Sequence, residues 1–193
     1  MKQMQFYRAV YKLADLPKEK FPEVVLCGRS NVGKSSFLNC LLSSKEAKTS
    51  SQPGKTRSLN YYLVDRKIFF VDLPGFGFAR VSKTERAAWQ KLIEDYFKQG
   101  RNIKLAIHII DSRHEPTELD LMLNEYLKGL GVPYTMVLNK IDKLKQQEIA
   151  RAKKEISSKV QGLEFNKDLF LFSAVTGFGK KDLINLIKNA IIE

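Results

Sequence analysis

Short apolar runs alternate with stretches of helical period along most of the chain. EVVLC at 23–27 is a near-continuous apolar run, the pattern of a strand buried on both faces. A Gly-rich turn follows, then a helical stretch from Lys34 to Leu42. NYYLV and KIFFVD flank Asp65-Arg66, which reads as a hairpin and so places one antiparallel strand in the sheet. Trp89, Leu92, Ile93, Tyr96 and Phe97 fall at helical spacing within 82–98, with Ser82 as N-cap and Glu85 completing a capping box. Downstream, KLAIHIID, VPYTMVLN and DLFLFS alternate with helices expected near 117–128, 145–160 and 180–191. This succession predicts an α/β fold: a mostly parallel six-stranded sheet with one antiparallel strand and helices on both faces. Residues 1–22 mix aromatic and basic side chains and end in Pro17 and Pro22. They are expected to form an extension packed on the edge of a single domain spanning 23–193. Residues 43–58 are polar, basic and aperiodic, and a loop of that length inside a compact domain is usually functional or disordered.

The turn after EVVLC changes the picture. Gly28-Arg29-Ser30-Asn31-Val32-Gly33-Lys34-Ser35 is GxxxxGK[ST], placed after a strand and opening a helix, as a P-loop NTPase requires. The glycines let successive backbone N–H groups turn inward onto phosphate oxygens, and the helix N-terminus adds partial positive charge. Lys34 brings an ammonium to the β and γ phosphates, and Ser35, followed by Ser36, offers a hydroxyl to Mg2+. The loop alone does not separate ATP from GTP. Asn139-Lys140-Ile141-Asp142, at the carboxyl edge of a strand, does. A carboxylate at Asp142 can accept from guanine N1–H and the exocyclic amine; adenine has no such pair of donors and would leave it unpaired. The Lys140 stem can lie along the base and Asn139 can tie the loop together.

Asp72-Leu73-Pro74-Gly75 closes another strand. Asp72 can hold a magnesium-bound water and the Gly75 N–H can meet a γ phosphate. Thr56, in Pro53-Gly54-Lys55-Thr56, can supply a second hydroxyl to the metal; an ordinary loop residue is the plainer alternative. Ser173-Ala174 follows the last strand, where the Ala174 N–H can read guanine O6. Two loops meeting the γ phosphate region would make a switch, ordered by GTP and released after hydrolysis.

Composition adds a partner class. Lys and Arg number 33 against 21 acidic residues, a net charge of +12 that attracts polyanions: nucleic acid or anionic membrane, with a merely solvated basic surface as the alternative. Lys55, Arg57, Arg80, Lys83 and Arg86, in or beside the two switch loops, are the candidates for RNA phosphates. The N-terminus lacks the continuous apolar core of a secretory signal, and no window nears the ~18 uninterrupted apolar residues of a membrane span. Cys27 and Cys40 have no metal-ligand spacing and read as small apolar residues. The expectation is a reduced, cytoplasmic monomer without a membrane anchor. His108 and His114 lack a ligand cluster, and Asp111 reads as a loop or surface contact rather than a base.

Together GRSNVGKSS, PGKT, DLPGFGFA, LNKID and SA resemble the bacterial EngB/YihA (YsxC) GTPases, of the Era/TrmE-like branch, over nearly the whole chain. The resemblance implies binding of GTP and GDP with magnesium, slow hydrolysis of GTP, and action in assembly of the large ribosomal subunit on or near its RNA. It implies nucleotide-site roles for Gly33, Lys34, Ser35, Thr56, Asp72, Gly75, Asn139, Lys140, Asp142, Ser173 and Ala174. Where Ras-like proteins carry a water-orienting Gln after the DxxG glycine, this chain has Phe76, which has no polar side-chain atom. The Asn31 position is similar to one that supports K+ in related GTPases, where potassium replaces an arginine finger; a turn-stabilising role is the alternative. Catalysis is thus expected to rest on Lys34, Thr56 and Asn31. The rival reading is a GTP-dependent signalling switch that binds protein effectors; neither end carries a lipidation motif.

Overall fold

The computed structural model describes residues 3–47, 58–75 and 91–192. Seven strands form one sheet: β1 (Met4–Val10), β2 (Glu23–Cys27), β3 (Leu59–Val64), β4 (Ile68–Asp72), β5 (Ile103–Asp111), β6 (Tyr134–Asn139) and β7 (Leu169–Phe172). Their order is β1-β3-β4-β2-β5-β6-β7. β3 runs antiparallel to both neighbours, and every other pairing is parallel.

The strand count corrects the expected six. The seventh is β1, from the stretch read as an extension, which pairs along β3 at the sheet edge. A register shift between Phe6 and Arg8 breaks the period of two within it. The hairpin joining β3 to β4 is as expected. Asp65 and Arg66 both take positive φ, 49° and 58°, the backbone of a two-residue turn that suits the sheet's twist.

The helices are α1 (Lys34–Leu42), α2 (91–97 of the longer helix expected at 82–98), α3 (Glu118–Gly129), α4 (Gln146–Lys159) and α5 (Lys180–Ile192). Residues 76–90, with Trp89 and the expected cap at Ser82, lie outside the described residues. Alternation along β5 divides the core into two layers. Leu105, Ile107 and Ile109 pack with Phe37, Leu38 and Leu41 of α1 and Leu183 and Ile187 of α5. Ala106 faces Tyr96, Phe97 and Leu127 of α2 and α3, and Ile110 faces Ile156 of α4. α3 opens on Thr117, whose hydroxyl accepts from the Asp120 N–H while Asp120 accepts from the Thr117 N–H. His108 points into the second layer, fully buried, with Nε2 3.8 Å from Asp120 Oδ1. Cys27 is buried and Cys40 half-buried, and both are free thiols.

One ionic cluster secures the opposite end of the sheet. Glu23, wholly buried, accepts from Tyr96 Oη at 2.5 Å and from Arg101 Nε at 2.8 Å. Arg101 also donates to the carbonyls of Pro17, 2.8 Å, and Glu19, 3.2 Å, fastening the segment before β2 to the loop before β5. With that end anchored, the carboxyl ends of β2, β4, β5, β6 and β7 converge at the other.

Candidate functional site

The phosphate loop leaves β2 at Gly28 and enters α1 at Lys34. Gly33 takes φ 99° in the left-handed region, and a Cβ there would stand 2.6 Å from Asn139 Nδ2. Only glycine meets both constraints. Lys34 is buried and folds back over the loop, donating from Nζ to the carbonyls of Gly28, 3.2 Å, and Arg29, 3.3 Å. Burial pushes its ammonium pKa down, opposed by the negative charge of Asp72. An anion arriving in the cradle would reverse that shift and offer the ammonium stronger acceptors than two carbonyls.

Asp72, at the end of β4, faces the same cradle. Its Oδ2 accepts from Ser35 Oγ at 3.1 Å, and its buried Oδ1 has no hydrogen-bond partner among the described residues. Burial raises the carboxyl pKa, with Lys34 and Ser35 opposing. A buried carboxylate with one unsatisfied oxygen beside a hydroxyl is a hard-oxygen donor set, and it suits Mg2+. Gly75 lies against the loop: a Cβ there would be 2.6 Å from Ser30 Cα, 2.7 Å from Ser30 N and 3.0 Å from Lys34 Nζ. The backbone after β4 therefore sits at the mouth of the cradle.

β6 delivers the Asn139–Asp142 segment to the same edge. Asn139, almost wholly buried, donates from Nδ2 to the Val32 carbonyl at 2.8 Å and accepts the Lys140 N–H at Oδ1, 2.8 Å. Lys140 takes φ 68° and donates from Nζ to the Asn31 carbonyl at 2.6 Å. Asn31 itself takes φ 65°, which agrees with its turn-forming reading. From the end of β7, Ser173 donates its hydroxyl to Asp142 Oδ1 at 2.7 Å and accepts the N–H groups of Val175 and Thr176 at 3.2 and 3.1 Å. The Ser173 hydroxyl, more than any other group, lowers the Asp142 pKa and keeps the carboxylate ionised as an acceptor. Ser36 and Ala174 line one open cleft of about 510 Å3, bounded also by Cys40 and Val175.

Gly28, Arg29, Ser30, Asn31, Val32, Gly33, Lys34, Ser35, Ser36, Asp72, Gly75, Asn139, Lys140, Asp142, Ser173 and Ala174 thus gather at one edge of the sheet. Gly54, Thr56 and Phe76, with Lys55, Arg57, Arg80, Lys83 and Arg86, lie outside the described residues. The sequence reads Asp111 as a loop or surface contact and gives Ser112 and Arg113 no role; in the structure Asp111, the last residue of β5, and Ser112 brace the Asn139–Asp142 segment, and Arg113 holds Asp111. Asp111 accepts from Lys140 Nζ at 2.8 Å, and the Asn139 carbonyl accepts both the N–H and the hydroxyl of Ser112, at 2.9 and 2.7 Å. A bare Asp-Ser-Arg after a strand carries no signal for this; only the parallel pairing of β5 with β6 brings the two segments together.

Comparison with known proteins agrees with this geometry. The family model described as 50S ribosome-binding GTPase matches residues 23–140, and that of the elongation factor Tu GTP binding domain matches residues 89–193. A probable GTP-binding protein EngB of Petrotoga mobilis is 45% identical over 184 residues, covering 95% of this chain and 93% of its own. Its counterpart in Thermotoga maritima is 47% identical over 180 residues, 93% and 91% of the two chains. A crystal structure of a probable GTP-binding protein EngB superposes with TM-score 0.75 at 26% identity, over 88% of this chain and 98% of that one. A variant of Aquifex aeolicus Era bound to GDP and AlF4- gives TM-score 0.71 at 25% identity, over 88% of this chain and 57% of that one. With a phosphate loop and a guanine-type loop bonded to each other at one sheet edge, and with relatives of this similarity along its length, the chain belongs to the EngB family of GTP-binding proteins and is a GTPase.

Proposed function

We propose that the chain is a GTP-driven conformational switch acting in assembly of the large ribosomal subunit, and that the residues gathered at the sheet edge carry its nucleotide chemistry. The observation that carries the site is the pair of bonds from Asn139 to Val32 and from Lys140 to Asn31, which make the phosphate and base loops one body. In this reading the N–H groups of residues 28–36 and the Lys34 ammonium hold the β and γ phosphates, exchanging the Gly28 and Arg29 carbonyls for phosphate oxygens. Asp142 accepts from guanine N1–H and the exocyclic amine, Lys140 lies along the ring, and the Ala174 N–H meets O6.

Ser35 and Asp72, the latter through water, would hold Mg2+ together with Thr56. The ion, when bound, neutralises phosphate charge. Water attacks the γ phosphate while Lys34 stabilises the charge that develops on the transferring group and the leaving oxygen. Phe76 offers the attacking water no polar atom, so intrinsic turnover is slow. The amide oxygen of the Asn31 side chain is the donor type that K+ takes, and the ion would supply positive charge at the phosphates. Gly75, packed on Ser30, links the cradle to the segment after β4, so that a γ phosphate meeting its N–H displaces or orders that segment.

The net charge of +12 and the ribosome-binding description of the matching family model support a ribosomal, RNA-rich partner. Sedimentation of the chain with large ribosomal subunits, carrying GDP or a non-hydrolysable GTP analogue at several salt concentrations, tests this. Cosedimentation that needs the GTP analogue and weakens with salt is expected. Failure to bind in every nucleotide state would leave the GTPase and remove the ribosomal role.

A further inference from the structure

A lysine stem lies along a purine face when its ammonium is held beyond the edge of the ring. Lys140 Nζ has two such holds: the Asn31 carbonyl at 2.6 Å and Asp111 Oδ2 at 2.8 Å. The first belongs to the phosphate loop. The second comes from a residue that none of the nucleotide motifs contains. Asp111 ends β5 in register with Asn139 on β6, so parallel pairing alone places its carboxylate beside the next residue of the base loop.

Asp111 is itself fixed. Arg113 donates from Nε to Oδ1 at 2.9 Å and from an Nη to Oδ2 at 2.7 Å, and the Arg113 N–H adds a third bond at 3.2 Å. The side chain is largely covered, 12% exposed, against 42% for Arg113. Burial pulls the Asp111 carboxyl up, but the bonds from Arg113 and Lys140 outweigh it and bring the pKa down to about 2. Both partners thus favour the charged form of the carboxylate.

We infer that Asp111 is a positioning residue for guanine-nucleotide binding, holding the Lys140 stem across the base site while Arg113 holds Asp111. The inference rests on the reading of Lys140 as a base contact. Its physical basis is preorganisation. A lysine stem has four rotatable bonds, and ordering it when the nucleotide arrives would cost affinity; an ammonium already held between Asn31 and Asp111 avoids that cost. Asp111 touches no nucleotide atom in this account, so its loss should act through Lys140 alone and show chiefly as faster release.

The test is a double-mutant cycle on the full chain with Mg2+, following release of a fluorescent GDP on chase with excess GDP. Asp111→Ala is expected to speed release by about tenfold, as for loss of one hydrogen bond between charged groups. In a Lys140→Ala background the same change should alter release by less than about twofold. Asp111→Asn keeps the shape and one acceptor, should give an intermediate rate, and carries the same comparison if the alanine variant does not fold. Melting of the nucleotide-free variants reports folding separately. Equal acceleration in both backgrounds, or none in either, overturns the inference. Asp142→Asn distinguishes the two levels. If it leaves the preference for GDP over XDP unchanged, the base-site reading fails and the inference with it. If it shifts that preference while Asp111→Ala is inert, only the role of Asp111 fails.

Discussion

Asn139 reaches from the end of β6 to the Val32 carbonyl, 2.8 Å away, and its amide nitrogen occupies the space that a side chain on Gly33 would need. The Gly28–Ser35 loop and the Asn139–Asp142 loop are thereby joined side chain to backbone. If the two loops bind nucleotide as proposed, affinity should depend on this bond even though neither of its ends need touch the nucleotide.

Asn139→Ala removes both side-chain bonds and leaves the buried Val32 carbonyl without this donor. Loss of a buried partner costs about 1–3 kcal/mol. We expect GDP release to accelerate about tenfold or more, with a lowered melting temperature of the nucleotide-free protein. Unchanged release kinetics in a folded variant would show that the two loops are held together by other means.

Gly75 has no room for a methyl group against Ser30 and Lys34. Gly75→Ala must push the segment after β4 off the phosphate loop, and that segment is the one a γ phosphate would engage. The variant should bind GDP within about threefold of the wild type, since GDP lacks the γ phosphate, and lose most of its GTP hydrolysis. Hydrolysis at the wild-type rate would remove Gly75 from the account of the switch.

Arg101 compensates the buried charge of Glu23. Burial, the largest influence on Glu23, raises its pKa, and Tyr96 and Arg101 oppose the rise. Arg101→Ala removes part of that opposition, and leaving one partner of a buried pair uncompensated costs about 3–5 kcal/mol. The sign with pH is fixed by linkage. A carboxyl whose folded pKa lies above its unfolded value keeps a proton that the unfolded chain releases, so stability falls as pH rises between the two values. Urea unfolding of the variant should show a steeper loss than the wild type as pH rises above the ordinary carboxylate range. A variant equally stable at low and high pH would contradict this.

Asn31 is the candidate support for a monovalent ion. GTP hydrolysis should be faster in KCl than in NaCl at equal ionic strength, and Asn31→Ala should remove the difference. Equal rates in both salts, with and without ribosomal subunits, would leave Asn31 only its turn geometry and its carbonyl bond to Lys140.

The fold was legible wherever strands are buried on both faces. Glu23–Cys27 and Lys34–Leu42 begin and end where the apolar pattern and the phosphate-loop motif place them. β1 was not legible as a strand. It is an edge strand with one largely exposed face, and the register shift between Phe6 and Arg8 interrupts the alternation that would have marked it. The site was legible where a motif compresses several tasks into adjacent residues, as in Gly28–Ser35 and Asn139–Asp142. Asp111 and Arg113 were not, because their task is defined by Lys140, just past the neighbouring strand β6 and 29 residues from Asp111 in sequence. Arg101 was hidden for the same reason: its partner Glu23 is 78 residues away and reads from the sequence as part of an apolar run.

Asp142, held by the Ser173 hydroxyl at 2.7 Å, is the residue proposed to select guanine. The direct measurement is competitive binding of GDP and XDP to the wild type and to Asp142→Asn, because xanthine carries a carbonyl where guanine carries the exocyclic amine. The wild type should prefer GDP by two or more orders of magnitude, on the order of 3 kcal/mol, and the variant should reverse that preference as its amide donates where the carboxylate accepted. A variant that still prefers GDP as strongly as the wild type would contradict the account, because guanine would then be read by other groups.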